Sequence, residues 1–268
     1  SDLRDVGGFT GWGGILYMFS KIEGTLSLVQ KSQILNALKK VDFQFLVKND
    51  IFHSLISGNA GFILGALDFA NTYGVNEYYE YAIYAGDLLL QQADLNTEIE
   101  LSWKNYSHSS LSGLAHGSSG FALAFARLFK HTDNVNYAEI ISKILRSENS
   151  QYMPSEGNWL DLRDLIQKKY PNRNICSCIW GHGAPGIGLV RNELIKIDKQ
   201  LFDACKNDLV VAIETTKNQG FGNRYLNISS GDLGNLELFI NYSLDNNTKE
   251  FDQLIETVLK RVLNDCYN

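Results

Sequence analysis

A glycine phrase that recurs five times constrains the fold of this chain more than any other feature. Each copy reads G-x-x-G and is followed by a stretch with almost no charge, as in GNAGFILGAL and GSSGFALAFARL. The first glycines of the copies are Gly11, Gly58, Gly117, Gly183 and Gly231. They lie 47, 59, 66 and 48 residues apart, which indicates an internal structural repeat in which each copy forms one supersecondary unit.

Amphipathic segments lie between the glycine phrases and are predicted to form outer helices. They place apolar residues at i, i+3, i+4 and i+7 with charges on the opposite face. These segments are KSQILNALKKVDF, NEYYEYAIYAGDLLLQQA, NYAEIISKILRS, LFDACKNDLVVAIETT and EFDQLIETVLKRVLNDC. The stretches after each G-x-x-G are predicted to be inner helices buried on nearly all sides, because they lack charge and their small residues allow close packing.

The alternation of outer helix, loop and glycine-led inner helix predicts an all-α fold, an α/α toroid of concentric helices with five recognisable repeats. With 268 residues and 44% hydrophobic content, the chain can form one large core, so a single domain over residues 1–268 is expected. The inner-helix N-termini should converge at one mouth, where their N–H groups favour an anion. The side chains just before the glycines should line that mouth, and they are Ser57, His116, His182 and Ser230.

Charge and composition argue against several classes of partner. The net charge is −6 with a pI near 5.4, and both signs are mixed along the chain, so no nucleic acid or anionic membrane partner is indicated. No apolar run approaches the roughly 20 residues that span a bilayer, and SDLRDVGG at the start is not a signal sequence, so a cytoplasmic location is expected. The cysteines are too few for a disulfide framework and should be reduced: Cys176, Cys178, Cys205 and Cys266.

Four long phrases give the chain a resemblance to a known family. GLAHGSSGFALAFARL, NWLDLR, WGHGAPGIGLVR and SSGDLGNLEL resemble successive signatures of the lanthionine synthetase C-like (LanC-like) proteins, most closely the C-terminal cyclase domain of class II lanthipeptide synthetases. The resemblance implies a ring of seven inner and seven outer helices. It also implies an enzyme that adds cysteine thiols of a ribosomal precursor peptide to dehydroalanine or dehydrobutyrine, with a zinc held by two cysteines and a histidine.

The zinc ligands that the resemblance implies are replaced in this sequence. Gly181 stands where the first cysteine belongs in the W-C-H-G phrase, and Ser229 and Ser230 replace the cysteine and histidine of the C-H-G phrase. Since glycine has no side chain and serine is a poor zinc ligand, the family zinc is predicted to be absent and no other cofactor is expected. Cys176, Cys178 and His182 form a C-x-C-x₃-H pattern that could hold a displaced metal, but packing is the favoured interpretation.

The acid and base residues of the family are partly retained. His116 matches the histidine of the family's G-[LF]-A-H-G phrase, which handles the enolate proton, whereas Ser54 stands where an aspartate is usual. His116 and His182 are therefore the candidate catalytic residues. The candidate binding residues are Trp180, Ser54, Ser229 and Ser230.

Other conspicuous residues receive structural interpretations. Trp159 and Trp180 are expected mainly in the core, and Asp161 and Arg163 of NWLDLR are expected to form an ion pair that holds a loop. His53, His108 and His131 lie outside any partnered motif and are assigned no role.

Three functions stay open from the sequence. The first is a LanC-like domain of lanthipeptide biosynthesis that binds a ribosomally synthesised precursor peptide, a dehydratase domain or a partner enzyme, and is impaired in thioether cyclisation. The second is a zinc-independent cyclase that uses His116 and His182 as acid and base. The third is an unrelated toroid enzyme such as a glycoside hydrolase. Because five repeats are recognised where the family ring has seven, the chain is a fragment, its ring is smaller, or another chain completes it.

Overall fold

A computed structural model describes residues 4–104, 107–222 and 225–267, with the side chains of 95–97 and 265–267 left aside. Cys266 therefore lies outside the described side chains. The contacts divide the chain into a first unit, residues 1–94 and 124–137, and a second unit, residues 95–123 and 138–268. The prediction of one domain over 1–268 stays a prediction.

The described residues are mostly helical, as expected from the scarcity of strand patterning. The helices are α1 Trp12–Ile22, α2 Leu28–Leu38, α3 Phe43–Lys48, α4 Asn59–Tyr73, α5 Glu77–Gln91, α6 Ser118–Thr132, α7 Val135–Asn149, α8 Asp164–Lys169, α9 Ala184–Ile197, α10 Cys205–Gln219, α11 Asp232–Asn246 and α12 Asp252–Tyr267. The strands are β1 Asp94–Thr97, β2 Glu100–Ser102, β3 Tyr152–Met153 and β4 Asn158–Trp159. They form two-stranded sheets, β1 with β2 and β3 with β4. No helix of the described residues combines the length and apolar character needed to cross a membrane.

Each glycine phrase starts a helix at its second residue. The helices α1, α4, α6, α9 and α11 begin directly after Gly11, Gly58, Gly117, Gly183 and Gly231. Close backbone approach explains the glycines, since an added Cβ on Gly61 would come within 2.0 Å of the Leu55 carbonyl oxygen. The predicted position of the inner-helix N-termini is therefore confirmed.

Burial of these helices follows the sequence prediction for α4 and α9 but not for α1. Buried residues occur around all sides of α4 and include Phe62, Ile63 and Phe69. In contrast, Tyr17 and Met18 of α1 are 49% and 42% exposed. Within its unit α1 packs one face against α4, and a low-charge helix is buried on all sides only where neighbours cover all of its faces.

Internal side chains cap the first turns of three inner helices. In the first unit, the carboxylate of Asp50 accepts a hydrogen bond of 2.7 Å from the Asn59 amide at the start of α4. In the second unit, Glu148 accepts one of 3.0 Å from the Ser119 amide of α6. The neutral Asn158 side chain accepts one of 2.9 Å from the Ala184 amide of α9. The expectation that these N–H groups are open to an anion is therefore wrong for the capped amides of α4 and α6, because buried carboxylates already compensate them.

The outer helices follow the amphipathic segments with shifted ends. The segment KSQILNALKKVDF divides between α2, which starts earlier, and α3, because Ser27 and Gln30 form a capping box at the start of α2. The side chain of Asp42 caps α3 in turn by accepting from the Phe45 amide at 2.9 Å. Capping residues thus set these boundaries rather than the apolar period.

A buried polar network joins the helices of the second unit. Arg191 of α9 is fully buried and forms ion pairs with Glu148 at 2.9 Å and Asp208 at 2.9 Å. The other oxygen of Glu148 accepts a hydrogen bond of 2.8 Å from the Gly113 amide. The same carboxylate therefore caps α6 and holds the loop that leads to His116.

Candidate functional site

A tight turn carries His182, in the segment before α9. Ile179 and His182 pair across it, with backbone hydrogen bonds of 3.1 and 3.0 Å in the two directions. This pairing leaves Trp180 and Gly181 at the tip of the turn. The sequence CSCIWGHG therefore forms a compact turn just before an inner helix.

Backbone hydrogen bonds join this turn to two other segments of the second unit. The amide of Ala115 donates to the Gly181 carbonyl at 3.0 Å, and the Gly181 amide donates to the Ser229 carbonyl at 3.2 Å. The first bond brings in the loop of His116 and the second brings in the loop before α11. Three phrases that are far apart in the sequence thus meet at Gly181.

The two candidate catalytic histidines lie side by side. The ring centroids of His116 and His182 are 6.2 Å apart, with the rings inclined by 32°. Burial and the nearby positive charge of Arg163 lower the pKa of His116 to about 4. The pKa of His182 is lowered for the same two reasons, although Asp161 opposes the shift. Both imidazoles are therefore neutral at pH 7.

Asp161 and Arg163 form the ion pair that the sequence predicts. The guanidinium Nε and Nη2 of Arg163 donate to the two carboxylate oxygens of Asp161 at 2.9 and 2.6 Å, and the Ser177 hydroxyl also donates to this carboxylate. Burial favours a higher pKa for Asp161, but the hydrogen bonds from Arg163 and Ser177 and the charge of Arg163 lower it. The positive charge of Arg163 also lowers the pKa of both candidate catalytic histidines.

Trp180 contacts an acidic residue that the sequence reasoning missed. Its indole Nε1 donates a hydrogen bond of 2.8 Å to the carboxylate of Glu237, and the tryptophan is 5% exposed. Burial raises the pKa of Glu237. Glu237 is the single charged residue in the stretch NLELFINYSL of α11, and a lone charge in an otherwise uncharged stretch was the signal available in the sequence.

The positions of the implied zinc ligands are neighbours, but they carry no ligand side chains. Gly181 offers no donor atom, Ser229 is exposed, and Ser230 is half-buried with its amide donating to Asn227 at 2.9 Å. Among the described residues, no group of three His, Cys, Asp or Glu side chains is arranged to hold a metal ion. The residues at these positions therefore do not fit the family zinc.

Cys176 and Cys178 lie near the turn and behave as packing residues. Cys178 packs against the cluster of Trp159, Ala184 and Ile187. Burial raises the pKa of Cys178 to about 12 and of Cys176 to about 11, so both are thiols at neutral pH. These cysteines and Cys205 form no disulfide among the described side chains, and their reduced state stays a prediction.

The other residues singled out in the sequence each contact residues of their own unit. Ser54 belongs to the first unit and is completely buried, with its hydroxyl accepting from the Ser57 amide at 3.4 Å. His53 lies near Asp50, with 3.7 Å between Nδ1 and the carboxylate. His108 is exposed and contacts Asp164 at 2.8 Å. His131 stacks on Tyr79 with 3.9 Å between the ring centroids. The binding role of Ser54 stays a prediction.

Comparison with known proteins identifies a relative by sequence. The chain is 26% identical over 269 residues to the lacticin 481/lactococcin biosynthesis protein of Lactococcus lactis subsp. lactis, which covers 95% of this chain and 26% of that protein. The chain thus spans about a quarter of the length of this curated relative.

Two solved structures share the fold. Nisin cyclase matches with a TM-score of 0.72 and 18% identity, over 96% of this chain and 71% of that chain. A GH76 alpha-mannanase of Bacteroides thetaiotaomicron matches with a TM-score of 0.55 and 13% identity, over 91% of this chain and 71% of that chain. The likeness to nisin cyclase confirms the predicted α/α toroid fold class.

The family assignment rests on the whole chain. The profile of the lanthionine synthetase C-like protein family matches residues 1–268, which includes all five glycine phrases and the turn of His182. The chain therefore belongs to the lanthionine synthetase C-like family, the family of lanthipeptide cyclases.

Proposed function

We propose that this chain binds a ribosomally synthesised precursor peptide of lanthipeptide biosynthesis, or a partner enzyme such as a dehydratase domain, and that it lacks the zinc needed for efficient thioether cyclisation. We propose that this binding takes place in the cytoplasm. It is carried by one observation: the backbones of Gly181 and Ser229 are hydrogen-bonded at 3.2 Å, yet neither residue has a side chain that ligates zinc well.

Loss of the metal removes the means of activating a thiol. A free cysteine of pKa ~8.5 is only a few per cent thiolate at pH 7, whereas a coordinated thiol is deprotonated outright. Since a general acid or base contributes typically ~10²–10⁴-fold, losing zinc together with the aspartate replaced by Ser54 should reduce cyclisation by several powers of ten. A binding role needs neither group.

The test measures zinc and peptide binding on the same preparation. The protein, purified from zinc-supplemented medium, is analysed for metal and titrated with a labelled precursor peptide, and the peptide is expected to bind while zinc is substoichiometric. The matched control is the triple variant G181C/S229C/S230H. A Cβ at position 181 would lie 3.2 Å from the Ala115 Cβ and 3.4 Å from the Ser229 carbonyl, so a side chain fits there after a small shift.

The triple variant is expected to gain about one zinc per chain, because it restores two thiolates and an imidazole at adjacent positions. Stoichiometric zinc in the unaltered protein would overturn the proposal. So would the absence of binding to both the precursor peptide and a dehydratase partner.

A second candidate is zinc-independent cyclisation, favoured by the paired neutral imidazoles of His116 and His182. In this reaction the thiol S–H bond breaks, sulfur bonds to the β-carbon of the dehydro residue, and a proton is returned to the α-carbon. One imidazole accepts the thiol proton, the electrons of the C=C bond move onto the α-carbon and its carbonyl as the C–S bond forms, and the imidazolium then gives the proton to the α-carbon.

The pKa of His116 makes this second candidate weaker. Moving a proton from a thiol of pKa ~8.5 to an imidazole of pKa about 4 is uphill by ~4–5 units, which corresponds to about 6 kcal/mol before any ion pairing. Incubation with a dehydrated precursor tests the reaction. Thioether formation above the uncatalysed rate, abolished by His116→Asn, would favour catalysis over binding alone.

A further inference from the structure

The guanidinium of Arg163 is fixed by an ion pair, and its side chain is partly exposed to solvent. It is bound in a fork by Asp161, and the side chain of Asp161 is 1% exposed whereas that of Arg163 is 29% exposed. The buried carboxylate therefore fixes the direction of the charge. The nitrogen Nη1 takes no part in the hydrogen bonds between Arg163 and Asp161.

Asp161 is itself fixed from several directions. Its amide donates to the Ile175 carbonyl at 2.8 Å, and its carbonyl accepts from the Gln167 side chain at 2.9 Å. The Ser177 hydroxyl donates to the carboxylate. Because little reorganisation is left to this ion pair, a ligand of the guanidinium would meet a preorganised partner.

The Ser177 backbone places this ion pair next to the histidine turn. An added Cβ on Gly183 would lie 1.8 Å from the Ser177 carbonyl, so the segment of Ser177 packs directly against the residue after His182. His116 lies beside His182, and the charge of Arg163 acts on both rings. The charge of a partly exposed arginine, fixed by Asp161, therefore acts on two neutral imidazoles.

We propose that the Arg163 guanidinium, held by Asp161 near His116 and His182, binds a carboxylate of the peptide ligand. This inference rests on the proposed peptide-binding function and deepens it. The planar guanidinium of arginine suits a carboxylate, and partly desolvated surroundings strengthen the interaction. Asp161 is a positioning residue for this site.

The first experiment uses small probes, so it is independent of peptide binding. The imidazole resonances of His116 and His182 are followed by NMR while millimolar N-acetylglycine is added, with neutral N-acetylglycinamide as the matched probe. The carboxylate is expected to shift both histidines and to raise the pKa of His116, because a nearby anion favours the imidazolium. The amide is expected to leave them in place, and R163Q to abolish the response. Equal shifts with both probes, or an unchanged response in R163Q, would overturn the inference.

The second experiment tests whether a carboxylate of the precursor peptide is the ligand. Affinity for the precursor peptide is expected to fall about tenfold in R163Q relative to the unaltered protein. Changing the acidic residues of the peptide to amides is expected to remove this difference, and a difference that persists would overturn the peptide carboxylate as the ligand. A peptide that binds R163Q and the unaltered protein equally overturns the inference and leaves the proposed function standing.

Folding is controlled with a conservative variant. R163K keeps the charge and can still pair with Asp161, but it loses the fork, so its probe response should lie between those of the unaltered protein and R163Q. If R163Q fails to fold, R163K decides the matter. A folded R163K whose histidines respond to N-acetylglycine as fully as those of the unaltered protein would contradict recognition of the carboxylate by the guanidinium.

Discussion

The amide of Gly181 and the carbonyl of Ser229 form a hydrogen bond of 3.2 Å that joins the turn before α9 to the loop before α11. The resemblance to the family implies that these two segments supply the cysteine ligands of zinc. Here the backbone connection is present while the ligand side chains are replaced. Backbone hydrogen bonds and the close packing of glycines hold the loops of the site together.

Two neighbouring glycines should respond differently to an added methyl group. Gly183 has φ +92°, and a Cβ there would lie 1.8 Å from the Ser177 carbonyl, so Gly183→Ala should cost more than about 3 kcal/mol of unfolding free energy. At Gly181 the nearest atom would be 3.2 Å away, and Gly181→Ala should cost less than about 1 kcal/mol. Urea unfolding of both variants measures the difference, and equal costs would contradict it.

The buried charge of Arg191 should be essential for stability. Arg191→Met leaves the carboxylates of Glu148 and Asp208 without their cation, and removing one partner of a buried pair costs about 3–5 kcal/mol. Lys196→Met is the matched control, because Lys196 pairs with Asp245 at 2.6 Å but is 52% exposed, and it should cost less than about 1 kcal/mol. Denaturant titration at pH 7 compares them. A similar loss of unfolding free energy in Arg191→Met and Lys196→Met would contradict a special role of the buried ion pairs in stability.

Stability should fall as the pH drops below about 6.5, in part because of His116. Its pKa is about 4 in the fold, whereas the ordinary pKa of histidine is 6.5, so the unfolded chain binds more protons between these limits. The neutral histidine therefore contributes stability that is complete above pH 6.5 and is lost toward pH 4. After allowance for partial exposure, this is on the order of 1–2 kcal/mol.

His116→Asn should flatten this part of the pH profile, measured as the urea midpoint between pH 7 and pH 4.5. The comparison is made within each variant, so a constant loss of packing at all pH values does not affect it. A profile parallel to that of the unaltered protein would refute the role of His116.

Glu237 should change the pH dependence of stability in the opposite direction to His116. Burial raises the pKa of Glu237 above the ordinary glutamate value of 4.5, so the folded chain retains the proton to higher pH than the unfolded chain. The stability that this group contributes is present below pH 4.5 and is lost as the pH rises through the raised pKa. Glu237→Gln keeps an oxygen acceptor for the Trp180 indole, and it should make the protein more stable at pH 7 relative to pH 4 than it is with glutamate. Urea unfolding over the same pH range measures the effect. A variant that loses more stability toward pH 7 than the unaltered protein would contradict the prediction.

The sequence by itself determined where the inner helices begin. An apolar segment introduced by G-x-x-G can form only a closely packed helix after its first glycine, and α1, α4, α6, α9 and α11 all start there. The absence of ligand side chains at Gly181, Ser229 and Ser230 is also a property of the sequence alone. Such features are local, because they depend on residue type and on the period of a single helix.

Only the tertiary structure decided what surrounds each side chain. It placed Glu237 against Trp180 and Glu148 against the α6 N-terminus, although each pair is separated by tens of residues. It also brought the charge of Arg163 close enough to lower the pKa of His116 and of His182. The ion pair that was predicted to hold a loop therefore also acts on the candidate site. Desolvation and charge proximity set the protonation of these groups, and both depend on distances between segments that the sequence order does not contain.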